Sequence, residues 1–179
     1  GELITERTGI LNLGVEGMML VGAVTGFAVT LSTGHASIGL LAAMAAAMGV
    51  SLIFGFLVLT LQTNQVATGL ALTLFGIGLS AFCGQGMAGQ TVAPLPHLHL
   101  PWLSDLPFFG PLLFRFDVMV YCSVVLAMAI GWTLARTRLG LVIRAVGESP
   151  RSAHAIGHPV TTIRYAAVLF GGALAGLAG

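Results

Sequence analysis

Apolar residues run along this chain in long blocks, broken by short clusters of Gly, Ser, Thr, Asn and Pro. Five blocks stand out: about 17–31, 38–61, 66–82, 118–135, and a last one that begins near Thr161 and reaches the end of the chain. The first closes on Ser32-Thr33-Gly34-His35, a polar cluster that reads as a turn. A membrane-spanning helix needs roughly 20 mostly apolar residues, and a longer block fits by tilting. The pattern therefore predicts an all-α fold, a polytopic transmembrane helix bundle in a single domain over 1–179. The chain opens at Gly1 in sequence that already reads as structured and closes in an apolar run, so a fragment lacking both ends is expected.

Charge sharpens this reading. Between Glu16 and Asp105 lie 88 residues without one Asp, Glu, Lys or Arg. The whole chain is 56% hydrophobic and 7% charged, whereas soluble domains carry about 25% charged residues. An Arg or Asp at mid-bilayer costs about 2.5–3.5 kcal/mol on insertion scales, which explains the scarcity. A soluble protein of this size could not keep so long an uncharged stretch from water. The net charge of +1 points to neither nucleic acid nor an acidic partner.

The loops assign a topology. The segment 136–160 carries Arg136, Arg138, Arg144 and Arg151, with Arg164 just inside the next block. Basic residues mark cytoplasmic loops, so 136–160 is expected inside. Alternation then puts the proline-rich loop 84–117 outside, the turn at 61–65 inside, 32–37 outside and Arg7 inside. Small residues recur at four-residue spacing as Gly22/Gly26, Gly172/Gly176 and Ala43/Ala47, a pattern that lets membrane helices approach closely.

Chemistry-bearing groups are few. The middles of the blocks hold Ser, Thr, Gly and Cys, with no paired carboxylate and no histidine placed as a base or ligand. No catalytic residue and no metal site is assigned. His97-x-His99 with Asp105 in the proline-rich loop matches no standard zinc spacing. Cys83 and Cys122 form no disulfide framework and read as buried thiols. The chain contains no lysine, so it lacks the Gly-rich phosphate loop whose Lys reaches the β- and γ-phosphates. ATP, if used, is used by another polypeptide.

Two segments remain. In the stretch 6–17 glycines recur at 9, 14 and 17, and Asn12 and Glu16 would share a face if helical. Irregular backbone beside a carboxylate fits a substrate pathway. It fits equally a cytoplasmic lead-in whose Glu16 sits at a helix N-terminus. In the arginine-rich loop, Ser149-Pro150 is a helix start and Gly157-His158-Pro159 a helix stop. A two-turn helix from Pro150 to Ile156 is predicted between them, flanked by Arg144 and Glu148. It is either a docking element or a loop held at lipid headgroups by its arginines.

The run Thr137-Arg138-Leu139-Gly140…Arg144-Ala145-Val146-Gly147-Glu148…Ala153…Ile156-Gly157, followed by 170–179, resembles permease subunits of ABC importers. The branch serves branched-chain amino acids, simple sugars and nucleosides. The stretches 8–20 and 64–72 are most similar to its sugar- and nucleoside-type members. The resemblance covers essentially the whole chain. It implies a permease domain in the plasma membrane (the bacterial inner membrane) that moves a small polar solute inward by alternating access. It further implies two cytoplasmic ATP-binding subunits, a second permease subunit, an extracytoplasmic solute-binding protein and surrounding lipid, with no cofactor in this chain. The 150–156 helix would be the coupling helix, with Arg144, Glu148, Ser149, Pro150, Arg151, Ala153, Ile156 and Gly157 as the ATPase-coupling residues. Asn12, Glu16, Asn64 and Gln65 are the substrate-pathway candidates. The loop differs from the Glu-Ala-Ala…Gly signature of other ABC importers. A branched-chain amino acid permease, a stand-alone secondary transporter or channel, and a membrane enzyme are the alternatives. A secondary transporter would usually show ionisable groups within the spans, and an enzyme a catalytic constellation.

Overall fold

A computed structural model gives the fold and describes residues 1–91 and 118–179. Among the described residues every regular element is helical, and five helices are long and apolar enough to cross a membrane. They fall into two compact units, Gly1–Val92 with Arg138–Gly179, and Ala93–Thr137.

The first unit begins with the short helix α1 (Glu2–Arg7), then α2 (Val15–Thr33) and α3 (Ala36–Gly55). A π turn (Phe56–Thr60) extends α3 without a break, so the apolar rod runs Ala36–Thr60, 25 residues. Next comes α4 (Gln65–Gly84), ending in a 3-10 turn at Gln85–Met87. In the second unit the described helix is α5 (Val118–Arg136). The chain returns to the first unit with α6 (Arg138–Glu148), α7 (Pro150–Ala155) and α8 (Val160–Ala178). Each predicted apolar block lies inside one of the long helices, apart from Leu61 at the end of the second and Gly179 at the end of the last. The helices otherwise run past the blocks because polar residues at their ends join the last turns. Thr33, for example, donates its hydroxyl to the Val29 carbonyl at 2.7 Å.

The core of the first unit is made where α2, α3 and α8 meet, with α3 packed on both others. Small residues allow it. A Cβ built on Gly22 of α2 would stand 2.8 Å from the Cα of Gly176 of α8. One on Gly176 would run into the Ala43 carbonyl of α3 and come within 2.8 Å of the Ala47 Cβ. Gly172 faces Ala47 and Ser51 in the same way. The G-x-x-x-G spacings read from sequence thus converge on one three-helix seam, where van der Waals contact replaces the hydrophobic drive that lipid does not supply. A second seam, between α2 and α4, is formed by Gly17 and Gly76, and a Cβ on Gly17 would lie 2.6 Å from the Leu72 carbonyl oxygen. Met18, Val50, Phe54 and Val168 fill the space between the seams.

Outward faces are apolar. On α4, Leu74 is 71% and Phe82 75% exposed, a surface that hydrocarbon covers at no cost. Hydroxyls within the spans donate to their own helix, as Thr25 does to the Val21 carbonyl, Thr30 to Gly26 and, in α5, Thr133 to Ala129, all at 2.7 Å. These three hydroxyl hydrogens are then not left facing lipid. Cys83 and Cys122 are exposed rather than buried. A thiol behaves as a small apolar group, and an outward position in a lipid-facing helix suits it.

Asn64 caps α4: its side-chain oxygen accepts from the amides of Val66 (3.0 Å) and Ala67 (3.2 Å). Asn64→Ala is expected to cost about 1 kcal/mol, the usual value of such a cap. The measurement is thermal unfolding of the detergent-solubilised protein. No change in midpoint would show the cap to be replaced by water.

Candidate functional site

Most of the candidate residues read from the sequence, Asn12, Gln65 and those of the 136–160 loop, lie at one end of the first unit, around an irregular turn. Residues 8–14 link α1 to α2 and alternate between buried and exposed, with Thr8, Ile10 and Asn12 all at 2% exposure or less and Leu11 and Leu13 turned outward. Gly9 takes φ +80°, a left-handed conformation that suits glycine. Its missing side chain matters too, because Gly9 and Gly147 of α6 pack backbone to backbone. A Cβ on Gly9 would stand 3.4 Å from the Gly147 carbonyl oxygen, and one on Gly147 would collide with the Arg7 carbonyl.

From this turn hydrogen bonds radiate to the spans. Arg164 of α8 donates Nε to the Thr8 carbonyl at 3.1 Å. The Leu11 amide donates to Gln65 Oε1 at 2.8 Å, and Thr73 of α4 donates its hydroxyl to the Leu13 carbonyl at 2.8 Å. Thr5 donates to the Ala167 carbonyl at 3.3 Å. The turn therefore touches α4, α6 and α8 and leads directly into α2.

Of the pathway candidates, the structure brings Asn12 and Gln65 to this turn. Asn12 is 2% exposed; its oxygen accepts from the Gly14 amide at 3.0 Å and its amide nitrogen reaches the Met18 sulfur at 3.7 Å. Asn12 and Glu16 do not share a helical face, because α2 begins only at Val15 and Asn12 is used to turn the chain into it. Glu16 is exposed in the first turn of α2, where its charge meets the unpaired amides of the helix start. Asn64 is engaged as the α4 cap.

In the arginine-rich loop the short helix forms as Pro150–Ala155, with Ile156 as its C-cap. Ser149 accepts from the Ser152 amide and Pro150 occupies the first turn, where its missing N–H leaves nothing unpaired. At the other end Gly157 takes φ +89°. Its amide donates to the His154 carbonyl at 3.0 Å and that of His158 to Ala153 at 3.1 Å, a Schellman closure. Six residues would not hold a helix in isolation; two caps and the burial of Ala153, 1% exposed, hold this one. Arg151, His154 and Ile156 face outward, and Ile156 is 72% exposed. Ala153, grouped above with the coupling residues, points into the protein and anchors α7 rather than offering it to a partner.

The sequence reading missed α6. Leu139, Val142, Ile143 and Val146 recur at helical spacing, and this signal could have found it. Arg144 and Glu148, read as flanking the short helix, lie on α6. Arg144 is part-buried with Nε directed at the Gly140 carbonyl, 3.4 Å away, and Glu148 is the exposed last residue. Among the described residues no group of three His, Cys, Asp or Glu could hold a metal. His97, His99, Asp105 and most of the loop 84–117 lie outside the described residues.

Apolar spanning helices joined by small-residue seams, with a capped helix at one end, define a multi-pass membrane protein, and the plasma membrane is its place. The chain belongs to the family described as branched-chain amino acid transport system / permease component, whose model matches residues 1–179. That family is one of transport permeases rather than of enzymes. The chain is 43% identical over its whole length to a protein of Haloferax volcanii named "Putative glucose ABC transporter permease protein", covering 56% of that protein. It is 33% identical, again over its whole length, to the guanosine ABC transporter permease protein of Bacillus subtilis, covering 60% of it. With the nucleoside ABC transporter permease protein of Lactococcus lactis subsp. cremoris the identity is 29%, over the whole chain and 60% of the relative. The chain thus spans a little over half the length of these relatives. No solved structure matches it.

Proposed function

We propose that this chain is the membrane-spanning permease part of an ABC importer that moves a nucleoside or simple sugar inward by alternating access. The end carrying Arg7, Arg144, Arg151 and Arg164 then faces the cytoplasm, as expected of basic residues. The observation that carries the proposal is α7, a helix capped at both ends, anchored inward by Ala153 and offering Arg151, His154 and Ile156 outward. An exposed apolar residue on the same short helix as an arginine and an imidazole, on a rigid support, suits docking into a groove of an ATP-binding subunit. The names of the relatives support the solute class, since they are permeases for glucose, guanosine and nucleosides. A second permease subunit and an extracytoplasmic solute-binding protein complete the proposed assembly. ATP is spent by the partner, and the lack of lysine in this chain is consistent with that division.

The test uses the full-length permease expressed with its ATP-binding subunit. Ile156→Glu is expected to lower co-purification of that subunit about ten-fold or more, because a charge replaces the apolar contact at the centre of the docking surface. Uptake of labelled nucleosides and sugars should fall in parallel while the permease still inserts. Undiminished co-purification together with normal uptake would exclude docking through α7.

A further inference from the structure

Arg164 and Tyr165 are consecutive residues near the start of α8, joined to α7 by the Gly157-His158-Pro159 link. Consecutive helical side chains point about 100° apart, so one turn of α8 can hold two different segments, and here it does. Arg164 Nε donates to the carbonyl of Thr8, the C-cap residue of α1, whose oxygen has no place in the helical ladder. The Tyr165 hydroxyl lies 2.6 Å from Thr60 Oγ1, at the last residue of the π turn. Its ring lies against Gly55, where a Cβ would come within 3.1 Å of the ring Cε1.

Both gripped segments lead to the N-terminal half of α4. From Thr8 the chain continues to Leu11, which donates to Gln65, and to Leu13, which accepts from Thr73. From Thr60 it passes through Gln62, at φ +53°, and Thr63 to the Asn64 cap. The intervening backbone departs from regular geometry in both places. The π turn carries one wide loop of backbone, with the Leu61 amide donating to the Phe56 carbonyl at 3.1 Å. Thr63 is held by its amide and its hydroxyl on the Leu57 carbonyl, at 3.1 and 2.9 Å. π turns occur mostly as single turns within α-helices and frequently at functional sites.

We infer that Arg164 and Tyr165 are positioning residues of the transport cycle, carrying a displacement of α7 through the 8–14 turn and the π turn to the N-terminal half of α4. The inference rests on the reading of α7 as the docking element. Neither side chain touches solute or the ATP-binding subunit in this scheme. Their substitution should separate ATP consumption from solute movement rather than lower both.

The experiment uses the full-length permease reconstituted in proteoliposomes with its ATP-binding and solute-binding partners, and reads solute moved per ATP hydrolysed. Tyr165→Phe removes one oxygen atom and is expected to keep assembly and ATP hydrolysis while lowering that ratio about three- to ten-fold, the scale of one coupling hydrogen bond. Arg164→Gln should lower it similarly and Arg164→Lys less, since lysine keeps the charge near the Thr8 carbonyl. If Arg164→Gln fails to assemble, Tyr165→Phe decides alone. An unchanged ratio in assembled Tyr165→Phe overturns the inference. The Ile156→Glu variant separates this failure from that of the docking reading. Lost ATP-binding subunit there with an unchanged ratio in Tyr165→Phe sinks the relay alone, whereas a retained subunit and normal uptake in Ile156→Glu sinks both.

Discussion

Gly176→Leu in the full-length permease is expected to abolish the folded protein. The position is the point where three helices meet: its Cα is the atom a Gly22 Cβ would strike at 2.8 Å, and its own Cβ would meet the Ala43 carbonyl and the Ala47 methyl. Two of these neighbours are backbone, which a side-chain rotamer change cannot move aside. Overpacking costs typically about 1–3 kcal/mol when neighbours can shift. Here α2, α3 and α8 would have to separate along their seam, so the upper end of that range is the floor. Separating three helices also forfeits the contacts along their seam, a loss on the scale of the whole stability of about 5–15 kcal/mol. The check is the amount of monodisperse protein recovered from membranes, with its thermal midpoint. Gly49→Leu and Gly78→Leu are the controls, because a Cβ at either meets nothing within 4 Å. They should express and melt like the parent. Equal behaviour of Gly176→Leu and the controls would show that the seam does not hold the bundle.

Gly157→Pro should leave insertion intact and lower uptake about ten-fold or more, within the usual range of a coupling free energy of about 1–3 kcal/mol. Two faults combine at this position. Proline holds φ near −65°, whereas Gly157 takes +89°. Proline also lacks the amide that donates to the His154 carbonyl at 3.0 Å. The Schellman closure opens, α7 loses its end, and the link to Arg164 and Tyr165 changes direction. Nothing lies within 4 Å of a Cβ at Gly157, so the effect is conformational rather than steric. Gly157→Asn should therefore recover most of the uptake, since Asn tolerates the left-handed region better than other side-chain-bearing residues. Full uptake with Gly157→Pro would show that the C-terminal end of α7 carries no load. Ala153→Glu belongs to a different class. It would bury a charge at a site 1% exposed and displace α7 bodily, so its phenotype would not report on a contact with a partner.

The spans were legible because lipid imposes one rule on every residue. Backbone groups must pair within the segment and side chains must be apolar, so composition alone marks Val15–Thr33, Ala36–Thr60 and the rest. The caps of α7 were legible for a similar reason, since Ser149, Pro150 and Gly157 act on their own few neighbours. The glycine spacings were visible, but not their partners. Gly22/Gly26 and Gly172/Gly176 could each have faced any helix, and only the packed bundle puts Gly22 against Gly176. Gly17, Gly69 and Gly76 pack just as closely without a four-residue spacing to announce them.

The stretch 6–17 marks the limit. Its glycines and Asn12 were conspicuous as residues, yet their roles depend on groups up to about 150 positions away: Gly147, Arg164, and Gln65 and Thr73 on α4. By itself the sequence determined that this is a multi-pass helical membrane protein with a capped helix in its arginine-rich loop, because hydropathy and capping act locally. The tertiary structure decided that the 8–14 turn joins that loop to three spans, that Ala153 faces inward, and that Arg164 and Tyr165 hold two segments at once. These are contacts between distant parts of the chain, set by which small residues allow which helices to touch.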